Sequence, residues 1–265
     1  MNVQYKGITA LSELEKANQL IEKVWGLETG ISIYLLKAQI NAGGKVLGAY
    51  KEENLIGISY GFPGVDNRGF FFYSHLLAVD PEYRGLQLGT ALKLYQGQIV
   101  QEAGFNRMKW TFDPLESRNA HVNFKKCHVT SREYYHNFYG VLKDNLNEGI
   151  SSDRLMVEWR MQSVSKPKLF ASAEIRNSVK FGLDKTGKIP IFKEWLLIQD
   201  SHVKLAIPSS FQGIKEHSLQ EAMNWRTGSG EVFKHYLNLG YAVIDFDYEK
   251  NRPVQFYILG QPREE

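Results

Sequence analysis

Apolar residues at Leu14, Ala17, Leu20, Ile21 and Val24 recur at helical spacing, and Trp25 closes that segment. The same period predicts a second helix over Ile31–Ala42, stopped by Gly43-Gly44. Val46–Tyr50 and Leu55–Phe62 read as strands around a turn at Glu53-Asn54, and Phe70–Val79 as a long apolar strand. Leu88, Ala91, Leu92, Tyr95 and Ile99 mark a helix that ends near Gly104. Arg107–Phe112 is the next strand, broken by Asp113-Pro114. A short helix over Ala120–Lys126 and strands at Tyr134–Tyr139 and Leu155–Met161 follow. Helices alternating with strands in this way require a mixed sheet covered on both faces.

After that the chain turns polar and carries Pro167, so a linker is expected at 162–170. The domains are then 1–161 and a smaller α+β domain at 171–265. In the second, Lys204–Ile207 reads as a strand, and Tyr241–Tyr248 with Pro253–Leu259 as a hairpin. Leu219–Leu239 carries a helical pattern that Gly228 and Gly230 interrupt and could split.

Composition narrows the class. The chain has 265 residues, 43% of them hydrophobic, and a net charge of +3 without a basic block. A globular core is expected, and a nucleic-acid partner is not implied. One cysteine, Cys127, excludes an intrachain disulfide framework and a multi-cysteine zinc site. His121 and His128 find no third ligand at suitable spacing, so no metal site is expected. No basic-then-apolar leader and no apolar run of membrane length stand out, which points to a soluble cytoplasmic protein.

The stretch that carries chemistry is Ala78-Val79-Asp80-Pro81-Glu82-Tyr83-Arg84-Gly85-Leu86-Gln87-Leu88-Gly89-Thr90. A strand ends, a glycine-bearing loop follows, and a helix begins. Unpaired N–H groups of a first helical turn, with the helix dipole, make an anion site there. Gly85 and Gly89 let the backbone approach a phosphate, and Arg84 adds a guanidinium. Neither the dinucleotide G-x-G-x-x-G pattern nor a P-loop is present. The stretch resembles motif A of the GNAT acyltransferases, R/Q-x-x-G-x-G/A placed five residues after a strand-ending valine. Val79 stands five residues before Arg84, Gly89 fills the last position, and Gln87 replaces the usual middle glycine.

The resemblance implies a GNAT fold: a mixed, mostly antiparallel α/β sheet with helices on both faces. It implies that the amides of Arg84, Gly85, Leu86, Gln87, Leu88, Gly89 and Thr90 hold the diphosphate of acetyl-CoA or another acyl-CoA. It also implies that the backbones of Leu77 and Val79 face the pantetheine and thioester where the strands splay. The family's tyrosine acid, in N-x-x-A-x-x-x-Y, falls on Phe124 when Ala120 takes the alanine, so either the thiolate leaves without direct help or a residue such as Tyr134 or Tyr135 supplies the proton. His75 is the expected base, two residues before Leu77 on the same strand face, which would put its imidazole near the reacting centre. A histidine hydrogen-bonded within the sheet is the rival reading, and Asp113, Glu116 and His121 are weaker bases.

A T-x-D-P-L segment at Thr111–Leu115 and two asparagines resemble a bacterial GNAT branch with a C-terminal extension. Asn119 and Phe124 are assigned to the cofactor, and Asn123 and Arg226 to the substrate. The asparagines are equally suited to capping the helix or bracing the Asp113-Pro114 turn. The branch makes succinyl an alternative to acetyl, with Arg118 or Arg226 as partner for its carboxylate.

The expected protein is an N-acyltransferase moving an acyl group to a primary amine of a small molecule, an amino acid among the candidates. The second domain would shape the acceptor side or a homodimer contact. The alternatives are a non-catalytic acyl-CoA-binding regulator and a tandem GNAT-like transferase using aminoacyl-tRNA.

Overall fold

A computed structural model of the chain describes residues 2–26, 30–140, 148–161 and 174–261. The chain divides into two compact units, Met1–Trp110 with Trp159–Ser163, and Thr111–Glu158 with Val164–Glu265. Residues 111–158, expected with the N-terminal domain, therefore group with the C-terminal part. The expected linker at 162–170 lies outside the described residues.

The first unit contains β1 (Gln4–Gly7), α1 (Leu11–Trp25), α2 (Ile33–Asn41), β2 (Lys45–Lys51), β3 (Asn54–Asp66), β4 (Gly69–Val79) and α3 (Leu88–Glu102). It also holds most of β5 (Arg107–Phe112). The strands lie in sequence order, antiparallel from β1 to β4, and β5 joins β4 in parallel. A parallel neighbour needs a crossover, and α3 supplies it.

Helices cover both faces, as expected. Leu14, Ala17, Leu20 and Ile21 of α1 and Leu36 of α2 pack with Ile58, Tyr60 and Ala78. On the other face Leu88 and Leu92 of α3 pack with Leu47, Ala49 and Ile56, and Leu77 and Val79 lie against them. Each of the large aliphatic side chains buried there contributes about 1.5–3 kcal/mol. The α2 helix starts two residues later than its apolar pattern suggests. The N–H of Ile31 donates to Asn18 Oδ1 at 2.8 Å, which holds that residue outside the helix.

The second unit holds α4 (Ser117–His121), which continues as a π-helical turn over Val122–Lys126, and then β6 (Thr130–Tyr135) and most of β7 (Arg154–Arg160). A separate hairpin, β8 (Val179–Leu183) and β9 (Pro190–Trp195), follows. After it come β10 (His202–Pro208), α5 (Phe211–His217), α6 (Leu219–Asn238), β11 (Ala242–Asp247) and β12 (Val254–Gly260). Within this unit the strand order is β7-β6-β11-β12-β10, antiparallel throughout.

Two expectations change here. The α6 helix is not split, because its glycines are packing sites. A Cβ on Gly228 would lie 2.0 Å from the Phe192 ring, and one on Gly230 would lie 2.5 Å from Tyr134 Oη. The strand expected at Tyr134–Tyr139 ends at Tyr135, since Asn137 turns left-handed at φ 50°. Its N–H donates to the Asp153 carboxylate at 2.9 Å, and Ser152 ties down the rest of that turn.

Candidate functional site

The site is prepared by an irregularity in β4. Against β3 the register runs Gly57–Val79, Ile58–Ala78, Ser59–Leu77 and Tyr60–Leu76, then jumps to Gly61–Ser74. His75 is the extra residue of this β-bulge. The bulge shifts the alternation of side chains. Ser74 reaches Lys93 and Gln96 on α3, and Leu77 and Val79 lie on that same face. Leu76 and Ala78 belong to the α1/α2 face.

His75 goes with the second group. Its ring lies 5.8 Å from Tyr60, 6.0 Å from Phe62 and 6.3 Å from Tyr73. The expectation that His75 shares a face with Leu77 is thereby corrected: two-residue periodicity fails across a bulge. The aromatic rings remove water from the imidazole and lower its pKa, although one side of the residue is exposed. A neutral imidazole at neutral pH is a proton acceptor.

Backbone direction at the end of β4 follows from one bond. The N–H of Asp80 donates to Ile56 O at 3.0 Å, so Asp80 faces β3. Successive residues of a strand alternate, which turns Ala78 toward β3 and aims the amides of Val79 and Leu77 at the other edge. There the parallel ladder with β5 comprises Phe72–Met108 and Tyr73–Lys109 and does not reach them. Leu77 and Val79 thus present backbone groups at an open edge beside the loop that follows.

That loop is built for its conformation. Asp80 caps a short 3-10 turn over Pro81–Tyr83, its carboxylate accepting from the N–H of Glu82 at 3.1 Å. Gly85 follows at φ +83° and Gln87 at φ 59°, ψ 14°. The middle position where the motif prefers glycine is therefore left-handed, and Gln87 adopts that conformation with a side chain, at about 1–2 kcal/mol. Gln87 is also the N-cap of α3, makes no capping bond, and no acidic residue stands in the first turn. The first bond of the helix runs from Ala91 N–H to Gln87 O, which leaves the N–H groups of Leu88, Gly89 and Thr90 pointing out of its end.

Side chains divide the work. Arg84 is exposed on the loop, Leu86 is exposed, and Leu88 is buried. Gly89 does not face the anion position as a bare glycine would; a Cβ there would meet Leu77 and Val79 at 3.6 and 3.7 Å. Its role is to seat α3 on β4. Behind the bulge Lys93 Nζ donates to Ser74 Oγ at 2.6 Å and lies 4.3 Å from the Trp110 ring centre. That buried polar cluster went unnoticed in the sequence; its signal is a lysine and a glutamine on the buried stripe of α3.

In the second unit the expected residues are mostly occupied by the fold. Phe124 is 1% exposed, between Phe112 and Tyr257 at 6.4 and 5.7 Å. It is a core ring, so the assignment to a cofactor contact is corrected. Arg226 is 4% exposed, with its two terminal nitrogens on the Asp113 carboxylate at 2.8 and 2.6 Å. Its fork is taken, which removes it as partner for an acyl carboxylate. Asn119 is exposed and Asn123 buried, so the two do not share one open face.

Tyr134 donates to Asp153 and stacks on Phe233. Burial first, and Asp153 second, push its pKa far above the ordinary value, which holds its proton in place. Glu116 has a raised pKa, from burial and then from Asp113, and accepts from Gln212 at 2.7 Å. Among the described residues no group of three or more His, Cys, Asp or Glu converges on a metal position. None of their helices is long and apolar enough to cross a membrane.

No curated protein matches the chain. Similar solved structures include aminoglycoside 6'-acetyltransferase type Ii, with 17% identity and a TM-score of 0.48 over 63% of this chain and 100% of that one. The ribosomal-protein-S18-alanine N-acetyltransferase from Escherichia coli gives 11% identity and a TM-score of 0.49 over 64% and 99%. A chain of the NatC complex bound to Gag peptide and CoA gives 16% identity and a TM-score of 0.49 over 60% and 99%. Residues 12–128 match the family model described as Acetyltransferase (GNAT) family. That match takes in β4, the loop after it and α3, so this part of the chain is similar to a GNAT acetyltransferase domain.

Proposed function

We propose that this protein moves an acyl group from an acyl-CoA, acetyl or succinyl, to a primary amine of a small molecule such as an amino acid. The observation that carries the reading is the uncapped start of α3 beside the open edge of β4. The amides from Gly85 to Thr90 suit a diphosphate, and Arg84 adds charge. The backbones of Leu77 and Val79 suit the pantetheine arm, with an N–H polarising the thioester carbonyl where negative charge develops.

The amine lone pair attacks the carbonyl carbon directly, and the C–S bond breaks as the amide forms. His75 takes the amine proton, which its lowered pKa favours by keeping the ring neutral. The sulfur leaves as thiolate, since Phe124 stands where the family's acid is expected and has no proton to give.

Calorimetry with acetyl-CoA and succinyl-CoA tests the donor site, and absence of binding by both sinks the reading. In turnover with a panel of amines, His75→Ala should lower kcat by about 100-fold and leave acyl-CoA affinity unchanged. Phe124 also favours a second reading, a binding protein without turnover; acyl-CoA binding with no product across the amine panel supports it.

A further inference from the structure

The loop that receives the anion carries two carboxylates of its own. Asp80 opens it and Glu82 follows, the first with a mostly buried side chain and the second exposed. Negative groups beside a diphosphate site repel the ligand, by an amount that Coulomb's law makes appreciable within about 10 Å in ordinary salt. One lysine from a distant part of the sequence meets both. Lys23, in the last turn of α1, places Nζ 2.8 and 3.0 Å from the two oxygens of Asp80 and 3.2 Å from Glu82.

The 3-10 turn fixes the start of the loop internally, with Tyr83 N–H donating to Asp80 O at 2.9 Å and Arg84 N–H to Pro81 O at 3.3 Å. From Pro81 to Gln87 all residues except Tyr83 are exposed, and Gly85 has nothing near its Cβ position. The loop's ties to the rest of the fold include the Asp80 N–H bond to Ile56, the half-buried Tyr83 with Lys51 Nζ 5.5 Å from its ring, and Lys23. Burial alone would raise the Asp80 pKa, and Lys23 with the Glu82 amide overcomes that and lowers it, with Arg84 adding to the effect.

We propose that Lys23 is a positioning residue of the donor site, neutralising Asp80 and bracing the β4–α3 loop so that it accepts a diphosphate. Lys23 touches neither reacting atom nor any loop amide. It sets the charge and geometry of the loop through Asp80, and it ties α1 to the donor loop. The inference rests on the acyl-CoA reading given above.

Four variants test it: Lys23→Met, Lys23→Arg, Asp80→Asn and the double variant Lys23→Met/Asp80→Asn. Acetyl-CoA binding is measured by calorimetry at low and high salt, and turnover supplies kcat and KM. Lys23→Met should raise both the dissociation constant and the KM for acetyl-CoA about tenfold at low salt, with kcat within about twofold. The loss should shrink at high salt. Lys23→Arg should restore wild-type affinity. Asn at 80 keeps an oxygen for the Glu82 N–H but no charge, so the double variant should bind better than Lys23→Met alone.

Equal affinity of Lys23→Met and wild type overturns the proposal, as does a loss that Asp80→Asn deepens instead of relieving. A fall in kcat at constant KM does the same. If Lys23→Met is too unstable to assay, Lys23→Arg and the double variant decide alone: both must bind within about threefold of wild type. Failure of the wild-type protein to bind acetyl-CoA or succinyl-CoA overturns the functional reading itself, a result distinct from wild-type binding with an indifferent Lys23.

Discussion

The two loop glycines allow one chemical change to be tested in two conformations. Gly85 sits at φ +83° with open space at its Cβ position. Alanine there meets no neighbour, so its cost is torsional, about 1–2 kcal/mol. The loss of freedom in the unfolded chain offsets about 0.4–1 kcal/mol of that. A net destabilisation of about 0.5–1 kcal/mol follows for Gly85→Ala.

Gly89 lies in the first turn of α3 with helical backbone, and its Cβ would rest at ordinary distance on Leu77 and Val79. Alanine is favoured over glycine in a helix by up to about 1 kcal/mol, and by roughly half that in a first turn. Gly89→Ala should thus stabilise by about 0.5 kcal/mol. Urea unfolding of the three proteins, with slopes compared as well as midpoints, reads the difference. Acetyl-CoA titration should show weakened binding only for Gly85→Ala, because its strained φ swings the following amides. Destabilisation of the same size by both substitutions would refute the reasoning, for it would mean that space and not torsion governs the loop.

Three further outcomes are expected. Gln87→Gly relieves the left-handed strain and should raise stability by about 0.5 kcal/mol in urea, with acetyl-CoA affinity within about twofold because the group that donates is an N–H. Arg226→Met leaves the largely buried Asp113 carboxylate with the Leu115 N–H and with Arg154 at 3.8 Å, and should destabilise by about 3–5 kcal/mol; Arg226→Met/Asp113→Asn should recover part of it. Glu116 has a raised pKa, so its favourable share is complete below the unfolded value near pH 4 and is lost as pH rises through the folded value. Glu116→Gln should therefore raise Tm by about 1–3 °C at pH 7–8, and the gain should vanish near pH 4.

Local patterns made the first 112 residues legible. Apolar spacing located α1, α3 and β2–β5 because each buries one stripe or one face against a helix or the sheet. The loop from Arg84 to Thr90 was legible through its glycines and the strand before it. What stayed hidden depends on partners far away in sequence. The bulge at His75 leaves no composition signature, since a histidine fits either face of a strand. Lys23 reads as one more solvated lysine on α1 until the fold brings Asp80 beside it, 57 residues on. Arg226 and Phe124 have residue types suited to ligands, and only their burial on Asp113 and between Phe112 and Tyr257 shows them to be structural. The β8–β9 hairpin was missed because its strands are short and interrupted by charge.

The grouping of residues 111–158 with the C-terminal part has a consequence for how the chain is made. Tyr257 donates its hydroxyl proton to Pro114 O, 143 residues earlier, and Phe124 rests on the same ring. On the ribosome, at about 5–20 residues per second, the segment around Phe124 waits roughly ten seconds for the strand that covers it. During that interval an apolar surface is open to chaperones and to other nascent chains. A message cut short after residue 161 would release a polypeptide with that surface bare, because the ring that covers it comes from β12.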